Sequence, residues 1–481
     1  MVTVNCATGT LAPYVPSAAM PWNRQRALHL YRRLGFGATP QEVEAALAQN
    51  PVALVDSLID AAIALPPTPP PVWADWDIND YTDFGQQTQE QLIAYVTDWV
   101  KDMIANGLRE KMALFWSNHL VARYETYVCP SYLYQYHTLL QTHALGNYKT
   151  FVYEMGKTPA MLIFLNGVQN TLFSPNENYA RELYELFTLG QDNGYTQEDI
   201  VNTARALTGW NGFTVACAPI PYVPFLHDNG NKTIFGQTGN WGYDEVHNIL
   251  FTQRDDEIAH HICAKLYRTF VHPEVKEEIV AELATTFKNN NWELAPVLRQ
   301  LFRSEHFFDE FVIGAEVKSP TELMLNLIRE SGNTFNDEII EVSTYLIYNL
   351  GQELFNPTDV AGWPGNREWI DSSSLTGRWL ACDAYLYGMY ENFPQVLVNL
   401  AKTLSGNSTD PEVVARAIAD FYTPNGLYSD EAYVRAVAAF KWEVPQNYYD
   451  NGLWNLDWPT APAQTALLLR NLSRLPEFQL M

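Results

Sequence analysis

The chain has 481 residues, 47% of them hydrophobic, which is enough to bury a sizeable core and excludes a disordered protein. Its 55 acidic residues against 30 basic ones leave a net charge of −25; that field repels DNA and RNA, and no basic run offsets it, so no nucleic-acid partner is expected. The five cysteines are scattered without CxxC spacing, which excludes a dense disulfide framework and a cysteine-rich zinc site but leaves room for one bridge.

Taken in chain order, helical periodicity dominates. The expectation is a mainly α protein: a single large multi-helix domain with long irregular loops and few short strands. MVTVNCATGTLAPYVPS lacks a signal-peptide pattern, so the chain is read as cytoplasmic or as the mature form of an exported protein. An N-terminal helical segment, 1–64, carries a helix start at Thr39, Pro40 and Glu42. LPPTPPPVW (65–73) is a Pro-rich connector to the main helical body, 74–481. There, apolar spacing predicts helices over 88–120, 131–165, 196–208, 256–271, 275–304, 320–333, 337–350, 410–422 and 430–441. Thr196 with Asp199, and Ser319-Pro320 with Glu322, repeat the capping device. Two stretches, 211–255 and 355–374, are poor in helix signals and read as irregular excursions, the kind of segment that often carries function. No run of 18 uncharged apolar residues occurs, so no transmembrane helix is expected.

NENYARELYELFTLG (176–190) holds the densest charge pattern on a predicted helix. Ser174, Pro175 and Glu177 read as a capping box, and Glu177, Arg181 and Glu185 as an i, i+4 ladder of opposite charge. Glu182 lies at the edge of the apolar face with no basic residue three or four positions away, so it needs a distant partner. His119 in FWSNHL and His227 in FLHDNGNK, beside Asp228, join Glu182 and Glu185 as a donor set that suits Zn²⁺, Mn²⁺ or Fe²⁺, although a histidine in such a setting is more often hydrogen-bonded and structural than a ligand. Trp363 and Trp369 sit in the Gly/Pro loop AGWPGNREW, where they either plug the core or stack on a sugar ring. There is no GxSxG, P-loop or GxGxxG unit, which removes the commonest hydrolase and nucleotide readings.

RRLGFGATP, FWSNHL, HALGNY, NENYARELYELFTLG, YTQEDIVNTARALTGW, HDNGNKTIFG, FNPTDVAGWPGNREWI and LPEFQL together resemble the bacterial domain of unknown function 1800 family, from about residue 27 to 481. The resemblance implies a mainly helical, often exported protein with no assigned reaction. It places the family's motif residues at His119, His143, Glu177, Asn178, Arg181, Glu182, Glu185, His227, Asp228 and Trp363. Relatives frequently carry His where this chain has Phe187, so a histidine there is not a required ligand.

The expectation is therefore a hydrolase-type enzyme acting on a polysaccharide or another extracellular polymer, with a divalent metal as candidate cofactor. Glu182 is its expected base or ligand and Glu185 the partner of Glu182; Arg181 and Asp228 complete the catalytic group. His119, Glu182 and His227 are the expected metal ligands, and Asn178, His143, Trp363 and Trp369 the binding residues. The alternative is a non-catalytic protein that binds a glycan or a partner protein. In a third possibility these polar motifs are buried networks that pin loops to helices.

Overall fold

The computed structural model describes residues 9–211, 215–333, 336–442 and 444–481. Among them are 23 α-helices and one two-stranded antiparallel hairpin, β1 (Lys232–Ile234) with β2 (Gln237–Gly239), so the fold is mainly α. Eight helices position the site: α1 (Arg24–Leu34), α2 (Leu108–His119), α3 (Pro130–Thr142), α4 (Asn178–Glu182), α5 (Gln197–Ala206), α6 (Asp255–Phe270), α7 (Pro320–Glu330) and α8 (Ser372–Asn392). No helix of the described residues is long and apolar enough to cross a membrane.

Three helix starts follow the sequence closely. Thr39, Thr196 and Ser319 each accept from the amide three residues on, and Glu42, Asp199 and Glu322 return the bond. The long periodic runs are broken by backbone geometry. Gly107, at φ +45, ends one helix at Asn106 and starts α2, so 88–120 is two helices. The run 131–165 divides into α3, Tyr148–Met155 and Pro159–Phe164.

The described residues of the N-terminal segment, 9–64, share one continuous apolar core with the body. Arg32 of α1 forms a fork with Glu330 of α7 (Nε–Oε1 2.6 Å, Nη2–Oε2 2.8 Å) and also donates to the Phe421 carbonyl, all with essentially no solvent exposure. The Pro-rich connector lies along the body: Arg109 donates to the Pro66 carbonyl at 2.6 Å, and the Thr68 amide to Gln141 at 2.8 Å.

The described residues of 211–255 are more ordered than their composition implies. They contain the hairpin and a helix, Tyr243–Gln253, whose start is closed by Glu245 bonding back to the Gly242 amide. A disulfide joins Cys217 in this stretch to Cys129, which precedes α3. Cys263 and Cys382 are buried free thiols.

Candidate functional site

The charged motif on α4 resolves into separate jobs. No capping box forms at Ser174, which is exposed in a turn; instead Asn176 Oδ1 accepts from the Asn178 amide, and the helix begins there. Glu177 is thereby freed for the expected ladder: Arg181 bonds Glu177 at 3.0 Å and Glu185 at 3.3 Å, and Gln197 of α5 bridges Arg181 and Glu177. Glu182 is half-buried and makes no hydrogen bond or ion pair among the described residues. Burial first, then the Glu185 charge, raise its carboxyl above the ordinary range against the pull of Arg181.

After Glu182 the helix widens into a π-turn over Leu183–Thr188, in which the Leu189 amide reaches back five residues to the Tyr184 carbonyl. Two histidines serve the carbonyls near its end. His119 Nε2 lies 3.2 Å from the Phe187 oxygen and 3.0 Å from the Tyr148 hydroxyl, which itself donates to Phe187. His261 Nε2 lies 3.2 Å from the Leu186 oxygen. Burial holds the His119 ring well below the usual histidine range, with the Lys265 and His261 charges adding to it, so both roles require neutral rings protonated on Nε2.

His227, Asp228 and His143 have local partners. His227 Nδ1 sits 3.0 Å from the Thr208 carbonyl. Asp228 pairs with Arg205 at 2.8 Å and accepts from the Gly230 amide; burial alone would raise this carboxyl, but these partners outweigh it and lower it. His143 bonds Glu154 at 2.8 Å and stacks on Phe151, while Asn178 is exposed. His119, Glu182, Glu185 and His227 are thus not brought to one point. Among the described residues no three His, Cys, Asp or Glu side chains are close enough to hold an ion.

A cleft forms elsewhere, where α2, the end of α6, the start of α7 and the tryptophan loop meet. It encloses about 390 Å³. The loop is clamped on both sides. Asn118 Oδ1 accepts from the Trp363 amide at 2.6 Å and its Nδ2 donates to the Trp363 carbonyl at 3.1 Å; Asn366 Oδ1 accepts from the Val317 amide at 3.1 Å. Gly362 makes the first clamp possible: its φ is +87, and a Cβ there would overlap Asn118. Trp363 and Trp369 then line one wall, ring centroids 6.5 Å apart.

Two glutamates in opposite environments also line the cleft. Glu322, fixed by the Ser319 cap, forms a buried ion pair with Lys111 of α2; burial favours its neutral form, but Lys111 and the Ser319 donors prevail and keep it ionised. Glu316 is 6% exposed, and its Oε1 has no hydrogen-bond partner among the described residues. Burial pushes its carboxyl up to about 7, with Arg33 opposing and the Glu322 charge assisting. The indole Nε1–H of Trp363, another residue lining the cleft and 5% exposed, likewise has no partner among the described residues. These two are among several buried polar atoms without a partner among the described residues, and both belong to residues that line this cleft.

A family model described as protein of unknown function (DUF1800) matches residues 29–480. The chain belongs to this family. No curated protein and no solved structure matches it. In this DUF1800 protein, Trp363 and Trp369, expected from the sequence as binding residues, line the cleft together with Glu316, Glu322 and Lys111, which the sequence did not single out for a site. The usable signal was the Ser319–Glu322 capping box, which places an acid at a helix mouth, together with Glu316 three residues ahead of Ser319.

Proposed function

We propose that this protein is a hydrolase that cleaves a glycosidic bond in a polysaccharide, with Glu316 as the proton donor. The observation that carries this is a buried, unpartnered carboxyl that keeps its proton close to neutrality, set in a cleft walled by two tryptophans. Glycoside cleavage needs a protonated carboxyl beside the leaving oxygen and an ionised carboxylate near the developing positive charge of the sugar ring. Glu316 suits the first role and Glu322, kept ionised by Lys111, the second. Trp363 and Trp369 offer apolar faces for stacking a sugar ring, and the free Trp363 Nε1–H offers a donor for a hydroxyl.

The test is Glu316→Gln assayed for release of reducing ends across a panel of polysaccharides. The expected loss is roughly 10²-fold or more, the scale of a general acid's contribution. One observation favours a second role, binding without cleavage: both oxygens of Glu322 already accept hydrogen bonds, one from Lys111 and one from the Ser319 amide. That role predicts saccharide binding with no product from the wild-type protein.

A further inference from the structure

Two cations line the cleft wall, and they differ in one respect. Lys111 is matched by Glu322, whereas Arg268, in the last turn of α6, makes no ion pair or side-chain hydrogen bond among the described residues. One turn back on the same helix, Lys265 also lacks an acidic partner among them, and burial, aided by the Arg268 charge, brings its ammonium down to about 8. Arg268 is exposed and lines the cleft, so its guanidinium is within reach of a ligand there. Of the two glutamates lining the cleft, Glu322 is matched by Lys111 and burial favours the neutral form of Glu316, so the Arg268 charge has no counter-charge there among the described residues.

Building on the glycoside-cleaving role proposed above, we infer that the saccharide in this cleft carries a negative charge, a carboxylate or sulfate-ester substituent, which Arg268 engages. The guanidinium fork matches the geometry of both groups. The net charge of −25 repels a long polyanion at a distance, so the selectivity is a contact property and is read best with short oligomers.

The experiment uses the full chain carrying Glu316→Gln, titrated by calorimetry at about 0.15 M salt with a galacturonate hexamer, a chondroitin sulfate hexamer and a neutral cello-hexamer. An anionic hexamer is expected to bind at least tenfold tighter than the neutral one. Adding Arg268→Gln should erase that preference, Arg268→Lys should retain part of it, and raising the salt should weaken only the anionic ligand. The tighter of the two anions identifies the substituent. Equal binding of all three, no binding of any, or a preference that survives Arg268→Gln would overturn the inference. Product formation by the Glu316→Gln protein would instead overturn the proton-donor role and leave the charge preference to be read on its own.

Discussion

At the scale of single residues, Glu316 and Glu182 show how similar carboxyls acquire different prospects. Burial raises both, but Glu316 has an orphaned oxygen in a cleft, while Glu182 is half-exposed on a helix. Cleavage by a protonated Glu316 predicts activity that declines as the pH rises through about 7, measurable as a pH–rate profile. The same shift has a stability signature. The folded-state value lies above the unfolded glutamate value, so this group's contribution is fully present below about pH 4.5 and is lost as the pH rises through 7. The melting temperature of Glu316→Gln relative to wild type should therefore climb between about pH 5 and 8, by the equivalent of up to about 3 kcal/mol; a flat difference would contradict the raised carboxyl. The sequence could show that Glu182 lacks a helical neighbour, because that is a matter of spacing three or four residues apart. It could not show Glu316 and Trp363 lining one cleft, because that depends on where two segments 47 positions apart (363 minus 316) meet in space.

At the scale of elements, capping was legible and tertiary pinning was not. The boxes at Thr39, Thr196 and Ser319 form as their spacing implies, since each is closed by residues within one turn. The box at Ser174 fails because Asn176 takes over the helix start and Arg181 with Gln197 holds Glu177. The π-turn at Leu183–Thr188 was invisible in the periodicity, since its carbonyls are answered by His119 and His261 from distant helices. His119→Ala should cost roughly 2–3 kcal/mol in denaturant unfolding, through a cavity and a poorly satisfied Phe187 carbonyl, and leave saccharide binding in the tryptophan cleft intact. Loss of that binding at unchanged stability would place His119 in the site rather than beneath the π-turn.

At the scale of the whole molecule, the helical class was plain from the sequence, but the N-terminal segment and the 211–255 excursion are tied in by contacts that no local pattern announces. Glu330→Gln leaves the Arg32 guanidinium buried without its counter-charge, and should destabilise the fold by about 3–5 kcal/mol in equilibrium unfolding. The Cys129–Cys217 bridge spans 88 residues and holds the excursion to the body; its reduction should lower stability by roughly 2–5 kcal/mol, visible as a lower melting temperature in dithiothreitol. These ties hold the scaffold, while the cleft where α2, α6, α7 and the tryptophan loop converge is where chemistry is expected. The most direct measurement is reducing-end release by wild type and Glu316→Gln on the same polysaccharide panel at about pH 6, with melting temperatures taken alongside. The predicted result is turnover by the wild type that falls roughly 10²-fold or more in a variant at least as stable. Turnover unchanged in a folded Glu316→Gln protein would contradict it.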